Sequence, residues 1–192
     1  MQAVNNGLSV GSAIHAAKRA AALVALLQNQ DRLDDGVLAM RAAALLERYG
    51  EQRPKLTTAD LEGLKAVSEK LYRVFAAPDT AQAARYINTL LGNFARAPRL
   101  TNHAASPWHV HVDSSDHAPW AEWLAASSAL ALAVLLAEKQ RNPGGLCAVP
   151  SCARPFIDLG KGGGRRYCSP RCATRARVSA YRGKTRLYIH AR

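Results

Sequence analysis

Apolar residues recur with a helical period along most of the chain. Alanine, leucine and valine return every three to four positions in five stretches, the spacing that places side chains on one face of an α-helix. Local signals mark the ends: Thr57 and Asp60 have capping-box spacing, Gly50 follows the second stretch, and Pro78 follows the third. The pattern predicts helices over residues 12–28, 36–49, 58–76, 80–94 and 119–140.

Between the last two predicted helices the period changes from that of a helix to that of a strand. Apolar residues alternate with histidines in the segment Trp-His-Val-His-Val at residues 108–112, as in a strand with two unlike faces. The alternation predicts a short hairpin with strands over residues 99–101 and 108–112. The N-terminal region is therefore predicted to be mostly α with a small β-hairpin, an α+β fold.

A Pro-Gly-Gly segment and a change in charge divide the chain. Asn-Pro-Gly-Gly at residues 142–145 interrupts both periods, so we predict a helical domain over residues 1–142 and a small domain over residues 143–192. Residues 153–192 carry eleven Lys and Arg against one acid, a net charge of +10, whereas residues 1–152 carry only +2. Such asymmetry indicates a polyanion-binding module attached to a nearly neutral body.

Composition and targeting signals favour a cytoplasmic protein. Hydrophobic residues make up 48% of the chain and charged residues 21%, the balance of a soluble globular protein. No run of 18 apolar residues occurs, so we expect no membrane-spanning helix and no membrane partner. The apolar run at residues 20–27 lacks a clear cleavage site after it. We therefore expect reduced thiols.

The four cysteines form two close pairs separated by a spacer. They are Cys147, Cys152, Cys168 and Cys172. Tetrahedral zinc takes four thiolates, and two short-range pairs supply them with little loss of loop entropy. The alternatives are two disulfides or four unrelated buried thiols; a reducing compartment disfavours the first and the paired spacing disfavours the second. The spacing predicts one zinc ion per chain, and four cysteines leave no open position for catalysis, so the site is predicted to be structural.

The residues around the cysteines predict the local structure of this module. Residues 154–159 and 165–168 are predicted to form two short strands joined by a glycine-rich turn. Ser169 and Pro170 predict the start of a helix, with Ser169 as N-cap and Pro170 at the first helical position. We expect this helix to end at about Tyr181. A knuckle, a hairpin and a helix with the last two ligands would make a treble-clef-like zinc ribbon.

Positive charge on this module indicates a nucleic-acid interface. On a helix from Pro170, Arg171, Arg175 and Arg182 fall within about 40° of each other. Such a ridge suits phosphate contact, and one or two guanidiniums could reach guanine edges. A merely solvated basic face is the alternative. The predicted contact residues are Arg165, Arg166, Arg171, Arg175, Arg177, Arg182, Lys184 and Arg186.

The predicted hairpin is a second candidate site. His109, His111 and Asp113 share one face of a strand, a spacing that could ligate a metal. A groove rich in Trp and His could equally bind a small effector. A third interpretation is a solvated polar face with the intervening valines pointing inward. The candidate pocket residues are His103, Trp108, His109, His111 and Asp113.

Residues 147–186 resemble the CGNR zinc finger, a treble-clef zinc-ribbon module. Besides the first cysteine pair, the resemblance lies in Phe156 and Asp158, in Arg-Arg-Tyr-Cys at residues 165–168, and in the run over residues 172–182. The family's Cys-Gly-Asn-Arg stands here as Cys-Ala-Thr-Arg, which keeps the ligand and the arginine. The replaced Gly-Asn pair bears on DNA sequence specificity more than on metal binding.

The helical region upstream resembles the ABATE domain that usually precedes this finger, through its helical order and position. Proteins with both domains are regarded as stress-induced transcription regulators. The resemblance therefore implies DNA, rather than RNA, as the partner. It suits an N-terminal domain that binds a small effector or forms a homodimer.

Two functions of different classes compete. One is a zinc-dependent DNA-binding transcription regulator. The other is a metal-dependent hydrolase or nuclease that uses His109, His111 and Asp113. Treble-clef nucleases need a histidine base inside the finger, and His190 is the only histidine after Cys147. No nucleophile elbow, P-loop or Rossmann glycine pattern occurs either. The sequence favours the regulator and no enzymatic activity.

Overall fold

The N-terminal part of the chain is helical, as the apolar period predicted. The structure is a computed structural model that describes residues 10–28, 34–52, 54–102, 107–160, 162 and 164–189, with side chains as far as residue 182. The first five helices are α1 (Val10–Leu27), α2 (Asp35–Arg48), α3 (Thr58–Phe75), α4 (Thr80–Phe94) and α5 (Trp120–Lys139). All five predicted helices are confirmed, with ends displaced by no more than two residues.

Side-chain caps explain where several helices begin. At α3, Thr57 Oγ1 accepts the backbone N–H of Asp60 at 3.1 Å, and Asp60 Oδ2 accepts that of Thr57 at 2.9 Å, which is the predicted capping box. Asp34 accepts from Gly36 N before α2, and Asp79 accepts from Gln82 N before α4. Each cap contributes about 1 kcal/mol by satisfying an N–H that the helix leaves unpaired.

Helix α5 is the centre of the core. It packs against α1, α3 and α4, and Leu124, Leu132 and Leu135 on it are fully buried. Both α1 and α5 are long and apolar enough to cross a membrane by length and composition alone. About half of each apolar stretch, 50% in α1 and 44% in α5, is buried inside the fold. A core helix of a folded domain can be equally long and apolar.

Two antiparallel hairpins accompany the helices. The first pairs β1 (Arg99–Thr101) with β2 (His109–His111), which confirms the predicted hairpin. The second pairs β3 (Gly144–Leu146) with β4 (Pro155–Ile157). The prediction that residues 154–159 pair with a strand at residues 165–168 is wrong, because the latter form no strand.

The glycine at the start of β3 explains this pairing. A Cβ on Gly144 would lie 2.1 Å from the carbonyl oxygen of Phe156, so only glycine lets the two strands approach this closely. Residues 165–168 contribute one backbone hydrogen bond to this region, from Ala148 N to Arg166 O at 2.8 Å. The segment predicted as a chain breaker therefore supplies the partner strand.

The second hairpin attaches the cysteine-rich segment to the helices. Strand β4 packs against α1, both strands contact α3, and Ile157 belongs to the same apolar core as the five helices. Asn142 Nδ2 also donates to Ala77 O at 3.2 Å. A separate small cluster lies around Cys147, Val149 and Cys172. The division of the chain at residues 142 and 143 stays a prediction.

The last helix, α6 (Pro170–Ile189), begins where predicted and ends later than predicted. No proline follows Tyr181 to stop it, and a single glycine costs a helix only about 1 kcal/mol. Lys184 and Arg186 therefore lie on the helix rather than after it.

Candidate metal centre and basic surface

The four cysteine sulfurs converge on one point. The Sγ atom of Cys168 lies 3.7 Å from that of Cys152 and 3.6 Å from that of Cys172, and Cys152 and Cys172 are 3.8 Å apart. With Cys147, all four sulfurs lie within 4.8 Å of one another. A tetrahedron with zinc–sulfur bonds of about 2.3 Å has sulfur–sulfur edges of about 3.8 Å. The thiol set therefore fits a tetrahedral zinc ion.

A backbone turn and a side-chain cap hold the thiols in place. Cys147 follows β3, and the chain then turns so that both Cys152 N and Ala153 N donate to Val149 O. Ala153 has a positive φ of 45°, a conformation that costs a non-glycine residue about 1 kcal/mol. On the other side, Ser169 Oγ accepts the N–H of Cys172 at 3.3 Å. This bond confirms Ser169 as the predicted N-cap of α6.

The close packing of the four thiols makes it unfavourable for all of them to ionise unless a cation is bound. Burial opposes ionisation of Cys147, but the backbone N–H groups of Cys168 and Val149 outweigh it and lower the pKa of this thiol to about 7. Burial and the neighbouring thiols raise the pKa of Cys168 to about 12, and burial raises that of Cys152. Four thiolates this close repel one another, and a divalent ion removes that repulsion.

Asp158 braces the segment between the two cysteine pairs. Its Oδ1 accepts the N–H of Gly160 at 3.0 Å and its Oδ2 that of Arg165 at 3.1 Å. Arg141 Nη1 lies 3.4 Å from Oδ2. Burial opposes ionisation, but the two N–H groups and the charge of Arg141 together lower the pKa of Asp158. The sequence resemblance singled out this aspartate, but only the structure shows what it holds.

Some of the predicted nucleic-acid contacts are exposed on α6, whereas others already contact groups of the protein itself. Arg171, Arg175 and Arg182 are all exposed on α6. Arg165 is exposed too, but its guanidinium donates to the carbonyl oxygens of Tyr167 and Cys168. The guanidinium of Arg166 lies 5.9 Å from the Tyr167 ring centre.

Three other predicted contacts also lie on α6. Arg177 points from another face of α6 and donates to Thr174 Oγ1 at 3.3 Å. Lys184 and Arg186 are placed on α6 by its backbone alone. Arg171, Arg175 and Arg182 thus share one exposed face of α6, and their contact with nucleic acid stays a prediction.

The histidine cluster is buried rather than solvated. His109 and Asp113 are 4% and 3% exposed, so the interpretation as a solvated polar face is wrong. His109 Nε2 lies 3.0 Å from His111 Nε2, and His111 Nδ1 lies 3.1 Å from Asp113 Oδ1. Arg99 donates to the same carboxylate oxygen at 2.7 Å. Burial opposes ionisation of Asp113, but the contacts with His111 and Arg99 lower its pKa.

The predicted pocket residues separate in the structure. Trp108 is 68% exposed and does not line the nearby cavity, while His103 lies outside the described residues. His111 and Asp113 do line a cavity of about 70 Å³ between α1, α5 and β2. Among the residues that the structure describes, only the four cysteines form a group of three or more side chains gathered closely enough to hold a metal.

Arg19 is the residue of this cavity that sequence reasoning missed. It is 3% exposed and donates to Glu51 at 3.1 Å and Ser127 at 2.8 Å. Its guanidinium lies 3.9 Å from the ring centre of Trp123, while its Nε has no hydrogen-bond partner among the described residues. Burial lowers its pKa and Glu51 opposes the shift. The sequence could have indicated its burial, because Arg19 lies four residues before Leu23 and therefore on the same, buried face of α1.

Comparison with known proteins concerns the metal centre. A search of curated proteins returned no match. Residues 145–185 match the family model described as the CGNR zinc finger, a span that contains all four cysteines, β4 and most of α6. The segment is thus similar to the CGNR zinc finger, and its four cysteines are positioned to hold one zinc ion.

Proposed function

We propose that the protein is a zinc-dependent DNA-binding transcription regulator. The observation that carries this proposal is the row of exposed arginines on α6, Arg171, Arg175 and Arg182, which begins beside the thiol of Cys172. None of the three forms an ion pair within the described part of the chain, so their charges are available to a polyanion. The zinc ion would fix the start of the helix and thereby the direction in which these side chains project.

Within this proposal the three arginines have different roles. Arg175 keeps the position of the family's motif arginine and is assigned to a base edge, where a guanidinium can pair with guanine through two hydrogen bonds. Arg171 and Arg182 are assigned to phosphates, which position the protein without reading sequence. The module is assigned the treble-clef arrangement that the family resemblance implies, with the cysteine knuckle lying between β3 and β4.

The helical region is assigned an effector-binding role, in keeping with its resemblance to the ABATE domain. The supporting observation is the cavity of about 70 Å³, where Arg19, His111 and Asp113 lie beside apolar side chains. The Nε of Arg19, which has no partner in the part of the chain that the structure describes, would donate to a carbonyl or carboxylate oxygen of a small ligand. We further propose that the protein forms a two-fold dimer that matches a palindromic site. The proposal also places it in the cytoplasm and assigns it no catalytic activity.

The hydrolase alternative has no observation of its own in its favour. His109, His111 and Asp113 contact one another and Arg99. A catalytic metal would need their nitrogen and oxygen atoms to turn towards a common ion.

A salt titration of duplex affinity tests the DNA interface. Each lost phosphate contact flattens the log–log slope of affinity against salt by about 0.9, because fewer condensed counterions are released. We expect this for Arg171→Ala and Arg182→Ala, with equal losses on selected and random duplexes. Arg175→Ala should instead cost about 1–3 kcal/mol on a selected site and relax specificity there.

Arg73→Ala supplies the control for this titration, since Arg73 is exposed on α3 and lies outside α6. Wild-type slopes for Arg171→Ala and Arg182→Ala, together with an unchanged affinity of Arg175→Ala for the selected site, would exclude α6 as the interface.

A further inference from the structure

A groove lined by positive side chains runs between the zinc finger and the first two helices. It consists of two adjoining hollows of about 700 and 480 Å³, which share Leu26, Arg41, Arg154 and Ser169 among their lining residues. The cations that line it are Lys18, Arg41, Arg48, Arg154, Arg165, Arg171 and Arg175. Among the described residues no Asp or Glu lines either hollow.

Three of these cations come from the nearly neutral N-terminal region. Lys18 lies on α1, and Arg41 and Arg48 lie seven positions apart on α2, which places them on the same face of that helix. All three side chains are exposed. None of them forms an ion pair in the part of the chain that the structure describes. Their position, rather than the overall charge of the region, makes them part of the basic surface.

The finger supplies the opposite wall. Arg154, Arg171 and Arg175 are exposed there and likewise form no ion pair among the described residues. Arg165 adds charge, although its guanidinium already donates to two carbonyl groups. The packing of β4 on α1 and the inclusion of Ile157 in the main core set the distance between the two walls.

Cations held together without a neighbouring acid repel one another, and a polyanion relieves the repulsion. A single small anion would meet only a few of the seven side chains, because they are spread over two open hollows. Duplex DNA offers one negative charge per roughly 1.7 Å of its axis, so successive phosphates along a backbone can meet both walls. The groove therefore suits an extended phosphate backbone.

We propose that Lys18, Arg41, Arg48 and Arg154 form a second, sequence-independent contact surface for duplex DNA, so that the phosphate backbone lies between the helical region and the finger. This inference rests on the proposed DNA binding by α6 and extends it to the N-terminal region. Base reading belongs to α6, whereas the groove supplies affinity and orientation.

The test uses the full-length, zinc-loaded chain and duplex DNA in a salt titration. The groove variant combines Lys18→Gln, Arg41→Gln and Arg48→Gln. The control variant combines Lys70→Gln, Arg73→Gln and Arg85→Gln, which are exposed on α3 and α4 and change the net charge equally. Zinc content and thermal unfolding are measured for both variants, so that loss of the fold is recognised.

The groove variant should flatten the salt slope by about 2.7, or 0.9 for each of three phosphates. Between 50 and 200 mM salt, the wild type should then lose about 40-fold more affinity than the groove variant. The loss should be equal on selected and random duplexes, and the control variant should keep the wild-type slope. This combination would support the composite groove.

Other outcomes overturn the inference in distinguishable ways. Equal flattening in groove and control variants would mean that only net charge matters. A wild-type slope in the groove variant, with a reduced slope in Arg171→Ala, would leave DNA binding to α6 alone. No duplex binding by the wild type, or a preference for single-stranded RNA, would remove the proposed function together with the groove.

Discussion

Replacing Asp158 with asparagine should weaken zinc binding although this side chain holds no metal. The carboxylate accepts two backbone N–H groups, those of Gly160 and Arg165, and lies beside Arg141. Asparagine keeps one oxygen acceptor, and its NH₂ group would face the second backbone donor. Asp158 is only 6% exposed, so water cannot readily replace the lost acceptor.

The size of the effect follows from these contacts. A hydrogen bond to a charged group contributes about 1.5–3 kcal/mol, so we expect a loss of about 2–3 kcal/mol in Asp158→Asn. Zinc-binding free energy in small metal modules is also folding free energy. The loss should therefore appear as a zinc dissociation constant raised about 30- to 150-fold, at 1.4 kcal/mol per tenfold.

The pH dependence gives a second check. Because the pKa of Asp158 is lowered in the folded chain, its stabilisation is fully present above the unfolded value of about 3.9. It is lost only as the pH falls through the still lower folded pKa. The difference between wild type and variant should therefore be constant from pH 6 to 8.

Competition with a chromophoric zinc chelator measures both quantities. Glu69→Gln is the matched control, since it also changes a carboxylate to an amide, at an exposed position on α3, and it should bind zinc like the wild type. An Asp158→Asn affinity within twofold of the wild type would refute the bracing role. A difference that changes across pH 6 to 8 would show that Asp158 titrates there.

Two further variants test the metal site and the strand pairing. Cys168→Ser should weaken zinc binding by at least about 100-fold, because it removes one of four thiolates. The far-UV circular dichroism of the upstream helices should persist in this variant. A zinc content equal to that of the wild type would contradict the four-thiol site. Gly144→Ala should destabilise the β3–β4 hairpin by about 3 kcal/mol or more, because its Cβ would meet Phe156 O. Hydrogen exchange at the backbone amide of Asp158, which is bonded to Pro143 O, should then accelerate, whereas Gly92→Ala, where nothing lies within 4 Å, should leave that rate unchanged.

The helices could be predicted because their signals are local. Apolar period and capping residues lie within the same few turns, so the capping box at Thr57 and the N-cap at Ser169 needed no knowledge of distant segments. The four-thiol site was predictable for a similar reason, since each cysteine pair is close in sequence.

The second hairpin could not be predicted because its pairing depends on contacts across the fold. Pro-Gly-Gly at residues 143–145 resembles a chain breaker. Only the close approach of Gly144 to the Phe156 carbonyl and the burial of Ile157 in the main core show why this segment is a strand. The buried polar group around Arg19 was missed because Glu51 and Ser127 are distant from it in sequence.

The two halves of the finger have different structural dependences. Strands β3 and β4 are held by the core of the helical region, through Ile157 and the close strand contact at Gly144. The knuckle and the start of α6 depend on the four thiols, which only a metal ion can hold together without mutual repulsion. Removing zinc should thus release α6 and its arginines while β4 stays on α1, so the helical wall of the groove would remain while the finger wall is lost. If the groove binds DNA as proposed, that binding should require both the metal and the hydrophobic attachment, although neither would touch the DNA.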